Sequence, residues 1–97
     1  MKKITELPKD SKLRVIDFCA EWCGHCRQLK PLLEAEETKN PNIEFCVVDV
    51  DTVPGEMLDA FNVNELPLIV AVKNGEVKSV YDESEGSLSS WVSFIQW

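Results

Sequence analysis

In Trp22-Cys23-Gly24-His25-Cys26 two cysteines stand three residues apart, at the point where an apolar run gives way to helical spacing. This junction constrains the fold more than any other feature of the chain. Upstream, Leu13 to Cys19 is nearly all apolar, the pattern of a strand inside a sheet covered on both faces, and Asp17 is its one carboxylate. Downstream, Cys26, Leu29 and Leu33 recur at i, i+3 and i+7, with Arg27, Gln28, Lys30, Glu34 and Glu37 on the opposite side, which predicts a helix from Gly24. Pro31 is expected to kink it, because proline removes one i to i−4 bond and crowds the preceding turn. The cysteine pair therefore sits at a helix N-terminus, where unpaired backbone N–H groups and the helix dipole favour a thiolate. A disulfide between these two residues closes a small ring at the same place.

The remaining pattern supplies a sheet and its cover. Lys2 to Leu7 reads as a short first strand, and Asn40-Pro41-Asn42 is a turn leading into a strand from Ile43 to Val50. A short helix is predicted near Pro54, whose fixed φ suits the first helical position, burying Met57, Leu58 and Phe61. Leu68 to Val72 and Val77 to Tyr81 are joined by Asn74-Gly75, a strong hairpin signal. A last helix, capped by Ser84 or Ser87, aligns Leu88, Trp91, Val92 and Ile95. The order is strand, strand, helix, strand, helix, hairpin, helix. Strand-helix-strand units pair in parallel and the hairpin pairs antiparallel, so the expected class is α/β with a mixed sheet, one domain over residues 1–97.

Charge and hydropathy exclude several functions. A net charge of −7 with ten scattered Lys and Arg is unsuited to nucleic acid. The longest apolar run, Leu66 to Val72, is far short of the ~20 residues of a membrane span and contains Pro67. Met1 to Glu6 has no apolar signal core, and Phe94 to Trp97 is not a retrieval signal, so a cytoplasmic protein is expected. Cys19 and Cys46 lie in strand-like runs, which favours one redox pair plus two buried thiols over two structural bridges, and suits a reducing compartment.

Cys23, at the helix start, is the expected nucleophile, and Cys26, one turn inside, the expected resolving thiol. A zinc site fails on ligand count, since no second close Cys or His pair exists, and covalent haem attachment needs His where Arg27 stands. Asp17 is expected to carry a raised pKa and to accept the Cys26 proton through water. Gly24 and His25 occupy the positions between the thiols that tune the redox couple, and a cationic or donating His25 ring favours the Cys23 thiolate. Pro67 opens the central strand, so a cis Leu66–Pro67 bond is predicted.

From Lys3 to the last helix, the dithiol, the buried acid, the strand order and the proline together resemble the thioredoxin family, and His25 between the cysteines is similar to protein disulfide isomerase domains. The resemblance implies a thioredoxin fold, from which this chain is expected to depart in a shortened N-terminal region, the first helix reduced to a turn near Pro8 to Lys12. It implies that Asp17 is the family's buried acid and that Trp22, Leu66 and Pro67 line a groove for an extended substrate segment. The expected function is a monomeric thiol-disulfide oxidoreductase acting on protein disulfides. It would have no bound cofactor and would be recharged by a flavin- and NADPH-dependent, thioredoxin reductase-like enzyme or another thiol donor. The alternative is a redox-sensing or chaperone-like module that uses the apolar groove without turnover. Val47 stands where many relatives place a charged partner for the acid, which is expected to leave Asp17 to desolvation alone. Leu68 and Tyr81-Asp82 also depart from the family pattern beside the groove.

Overall fold

The computed structural model describes residues 1–96; Trp97, part of the carboxyl-terminal stretch and of the 1–97 range above, lies outside them. In chain order the elements are β1 (Lys2–Lys3), β2 (Arg14–Cys19), α1 (Gly24–Lys39), β3 (Glu44–Asp49), α2 (Gly55–Ala60), β4 (Leu68–Lys73), β5 (Glu76–Val80), a 3-10 turn (Glu83–Glu85) and α3 (Leu88–Phe94). The strands form one mixed sheet in the order β1-β3-β2-β4-β5. β2 is central, parallel to β3 and antiparallel to β4, and β4 is antiparallel to β5.

Side chains alternate across a strand, so β2 serves two cores at once. Val15 joins Leu29 and Leu33 of α1, Phe45 and Ile69 of the sheet, and Trp91 and Val92 of α3 on one face. Ile16 and Phe18 join Cys46, Val48, Val70 and Met57 of α2 on the other. Asp17 follows the parity of Val15 and is thereby directed to the α1 side, only 2% exposed. Arg14 opens the strand inside a charged clamp: its guanidinium pairs with Asp10 and donates to Glu44, its register partner on β3, at 2.8 Å. The Arg14 hydrogen bond leads the causes that hold the Asp10 carboxyl down at about 2.

Several elements are shorter than their sequence pattern. Only Lys2 and Lys3 of the Lys2–Leu7 run pair as a strand, with Ile4 N–H adding one bond to the Val47 carbonyl at 3.0 Å. Segment 8–12 holds no helix and is pinned by Asp10, which accepts from Lys12 N–H at 3.1 Å and whose own carbonyl accepts from Asn74 N–H at 3.0 Å. α1 continues through Pro31, whose missing N–H deprives the Arg27 carbonyl of its intrahelical donor on the exposed side of the helix, where both residues lie. Pro54 is the N-cap residue of α2 rather than its first helical residue. Ser87, not Ser84, caps α3, accepting from Ser90 N–H at 3.1 Å, while Ser84 belongs to the 3-10 turn. Asn74 (φ 56°) and Gly75 (φ 75°) take the left-handed conformation that a tight hairpin needs at both central positions.

Leu33 has no exposed surface and lies where α1 meets both the sheet and α3. Leu33→Ala is expected to lower stability by about 2–5 kcal/mol in urea denaturation. A loss below about 1 kcal/mol would contradict this placement of the core.

Candidate active site

β2 delivers the chain to the site through a tight connection, in which Cys23 N–H donates to the Ala20 carbonyl at 3.1 Å. Cys23 is the N-cap of α1, with extended backbone angles, and its Sγ accepts from Cys26 N–H at 3.2 Å. The sulfur thus fills the role that a Ser or Asp oxygen plays at most helix starts. No acidic side chain lies in the first turn of α1 to oppose negative charge there. Cys23 and Cys26 are joined by a disulfide, with Cα atoms 5.3 Å apart, inside the ordinary range for such bonds. Cys23 is 8% exposed and Cys26 3%. Beside them Gly24 is open, since a Cβ there would meet nothing within 4 Å.

Below the disulfide, Asp17, Cys19, Cys26, Arg27, Lys30 and Val47 line a cleft of about 440 Å³. Asp17 Oδ1 is buried with no hydrogen-bond partner among the described residues. Burial pushes its carboxyl up to about 6, with Lys30 pulling in the opposite direction. The expectation that desolvation acts on Asp17 alone is therefore corrected. Val47 is its uncharged register partner on β3, and the countercharge comes instead from Lys30 of α1. Cys19 also departs from its expected burial: it is partly exposed at the same cleft, and desolvation first, then Asp17 and Asp49, push its thiol up to about 11. Cys46 is fully buried, and burial likewise raises its thiol to about 11.

The Leu66–Pro67 bond is cis. Leu66 packs against the cluster of Ala20, Cys23 and Cys26, whereas Pro67, Leu68, Tyr81, Asp82 and Glu83 border an adjacent groove of about 410 Å³. Trp22 is not among the residues of that groove. Its ring is 69% exposed, and its indole N–H donates to Asp51 Oδ2 at 2.9 Å. His25 faces Glu83 and Gln28. Lys30, Asp51 and Glu83 are thus site neighbours that sequence reasoning missed. Glu83 lies in an acidic run after the hairpin, but no spacing rule connects it to a residue 58 positions earlier.

A helix capped by one sulfur of its own disulfide, with a buried acid behind it and a cis proline beside it, defines a dithiol-disulfide exchange domain. The family model for thioredoxin matches residues 3–95. Thioredoxin H2 of Arabidopsis thaliana is 36% identical over 92 residues, covering 94% of this chain and 68% of the relative. Thioredoxin H8 of the same plant is 38% identical over 94 residues, covering 92% of this chain and 63% of the relative. The chain thus spans about two-thirds of the length of these relatives. Among solved structures, Fasciola hepatica thioredoxin superposes with a TM-score of 0.76 at 31% identity, covering 89% of this chain and 83% of that one. Malassezia sympodialis thioredoxin, at 24% identity and a TM-score of 0.84 over 99% of this chain and 93% of that one, shares the fold. The chain belongs to the thioredoxin family of thiol-disulfide oxidoreductases. Members of that family need no bound cofactor, and among the described residues no helix is long and apolar enough to cross a membrane.

The displacement of Asp17 from 3.8 to about 6 corresponds to about 3 kcal/mol of destabilisation once the group is ionised. Because the folded-state pKa is raised, this loss is absent below about pH 4, grows as pH climbs from about 4 to 6 and is complete above. Asp17→Asn is expected to stabilise the oxidised protein by about 2–3 kcal/mol at pH 8 and by nothing comparable at pH 4, measured by urea denaturation. An equal gain at both pH values would show that burial of the charge is not its source.

Proposed function

We propose that the chain reduces and exchanges disulfides in other proteins, with Cys23 as nucleophile, Cys26 as resolving thiol and Asp17 as proton acceptor. The observation that carries the assignment is the Cys26 N–H donated to Cys23 Sγ at the start of α1. The same amide and the helix dipole favour a negative sulfur when the disulfide is open. In the reduced state the Cys23 thiolate attacks one sulfur of a substrate disulfide. A Cys23-to-substrate bond forms, the substrate S–S bond breaks, and the departing thiolate takes a proton. Cys26 then loses its proton to Asp17, through water in the cleft that both residues line. Its thiolate attacks Cys23 Sγ, re-forming the Cys23–Cys26 bond and expelling the second substrate sulfur as a thiolate, which takes up the proton held by Asp17. Two electrons have moved from the dithiol to the substrate, and the reverse sequence donates a disulfide.

An acid with a pKa of about 6 suits this task, being ionised at neutral pH yet close enough to it to hold a proton briefly. The substrate is an extended segment of protein chain that binds beside Pro67, with Leu66 beneath the reacting sulfurs and Trp22 at the rim. Gly24 keeps the approach to Cys23 open. His25 moves the couple toward disulfide isomerase behaviour, since a protonated ring on the helical turn of Cys23 stabilises the thiolate at the expense of the disulfide. The protein acts as a monomer in the cytoplasm, and electrons reach it from NADPH through a flavin-dependent, thioredoxin reductase-like partner or from another thiol donor.

Cys23→Ser is expected to abolish turnover in a protein-disulfide reduction assay. Cys26→Ser should instead accumulate a covalent complex with the substrate, visible on a non-reducing gel and reversed by dithiothreitol. Full turnover by Cys23→Ser would overturn the assignment.

A further inference from the structure

His25 is held from two directions. Its Nε2 faces both carboxylate oxygens of Glu83, at 3.0 and 3.1 Å, and its Nδ1 faces Gln28 Oε1 at 3.3 Å. A carboxylate oxygen only accepts, and the amide oxygen on Nδ1 also accepts, so this arrangement is fully satisfied when both ring nitrogens carry protons. Gln28 and then Glu83 accordingly raise the His25 pKa. Glu83 is itself placed by a built turn. Asp82 caps the 3-10 segment through Ser84, accepting from its N–H at 2.9 Å and its hydroxyl at 2.6 Å. Tyr81 N–H donates to the Ile69 carbonyl at 2.8 Å, and the Tyr81 ring packs on Trp91 with centroids 5.5 Å apart. Around the imidazole the charged partner is Glu83; Asp82 is engaged by Ser84, and Arg27 lines the Asp17 cleft.

We infer that Glu83 is a positioning residue of the redox centre: it reaches across from the segment after β5 to hold His25 as an imidazolium on the same helical turn as Cys23, biasing the couple toward disulfide donation and exchange. This rests on Cys23 being the reacting sulfur. With Cys23 left as a thiolate, opening the disulfide takes up two electrons and one proton, the proton going to Cys26, and the imidazolium stabilises that product. Removing the Glu83 charge lowers the pH at which His25 gives up its proton, so less imidazolium remains on the helical turn of the thiolate at neutral pH. In acid, His25 stays charged in either protein, and the difference disappears or reverses because the opposing carboxylate has gone.

The test compares wild type with Glu83→Gln in full-length protein, following the His25 ring protons by NMR against pH and the Cys23–Cys26 equilibrium against glutathione at pH 7.5 and 5.5. The expected result has three parts. The His25 titration moves to lower pH. The equilibrium shifts roughly two- to five-fold toward the disulfide at pH 7.5, the scale of an exposed ion pair. This shift is lost or reversed at pH 5.5. In a His25→Ala background, Glu83→Gln should no longer shift the equilibrium toward the disulfide. Glu85→Gln, a like change of charge on the same turn, should leave both readouts near wild type. An unmoved His25 titration, or an equal equilibrium shift in the His25→Ala background, would overturn the inference. The titration does not depend on turnover, so loss of the catalytic assignment through an active Cys23→Ser would be recognised separately.

Discussion

One hydrogen bond, from the amide of Cys26 to the sulfur of Cys23, joins the architecture of this protein to its chemistry. A helix start leaves backbone donors without partners, and most helices answer with a side-chain oxygen. Here the answer is a sulfur that can be covalently bridged or negatively charged, and both states fit the same donor. The position of that sulfur follows from β2, which is anchored between β3 and β4 and ends at Cys19, close to the start of α1. Leu29 and Leu33 fasten the helix to the sheet, so its N-terminus is a rigid mount rather than a loop.

The cleft behind the disulfide shows the cost of that chemistry. A carboxylate with an unpartnered oxygen in a sheet interior destabilises the fold, and an apolar residue at position 17 would pack there without that loss. Asp17 is nonetheless placed on the side of β2 that faces α1, where Cys26 lines the same space and Lys30 partly offsets the charge. Local rules of foldability fail at this residue, and such failures concentrate where a protein does chemistry. Cys19 borders the cleft but stays protonated at neutral pH, because burial and two nearby carboxylates oppose its ionisation.

Much of this was legible in the sequence because it depends on short-range pattern. The period of Cys26, Leu29 and Leu33 marks the buried stripe of α1, Asn74-Gly75 marks the β4–β5 turn, and the position of Pro67 before a central strand marks its cis bond. Element ends were less legible. Lys2–Leu7 looks like a strand, yet only two of its residues pair as one, because pairing depends on what β3 presents rather than on the run itself. The choice between Ser84 and Ser87 as a cap was settled by Asp82, which engages Ser84 in a separate turn. Contacts between distant segments were not legible at all. Lys30 reads as a solvated residue on the polar side of a helix, and only the packing of α1 over β2 brings its charge to bear on Asp17. Glu83 meets His25, and Asp51 meets Trp22, for the same reason.

In the proposed function, the helix N-terminus makes Cys23 the reactive sulfur. Timed alkylation of the reduced protein at pH 6 with a thiol-specific reagent, mapped by mass spectrometry, tests it most directly. Cys23 should be modified well ahead of Cys26, with Cys19 protected by protonation and Cys46 by protonation and burial. Modification of Cys26 as fast as Cys23, or no selectivity among the four thiols, would contradict the account.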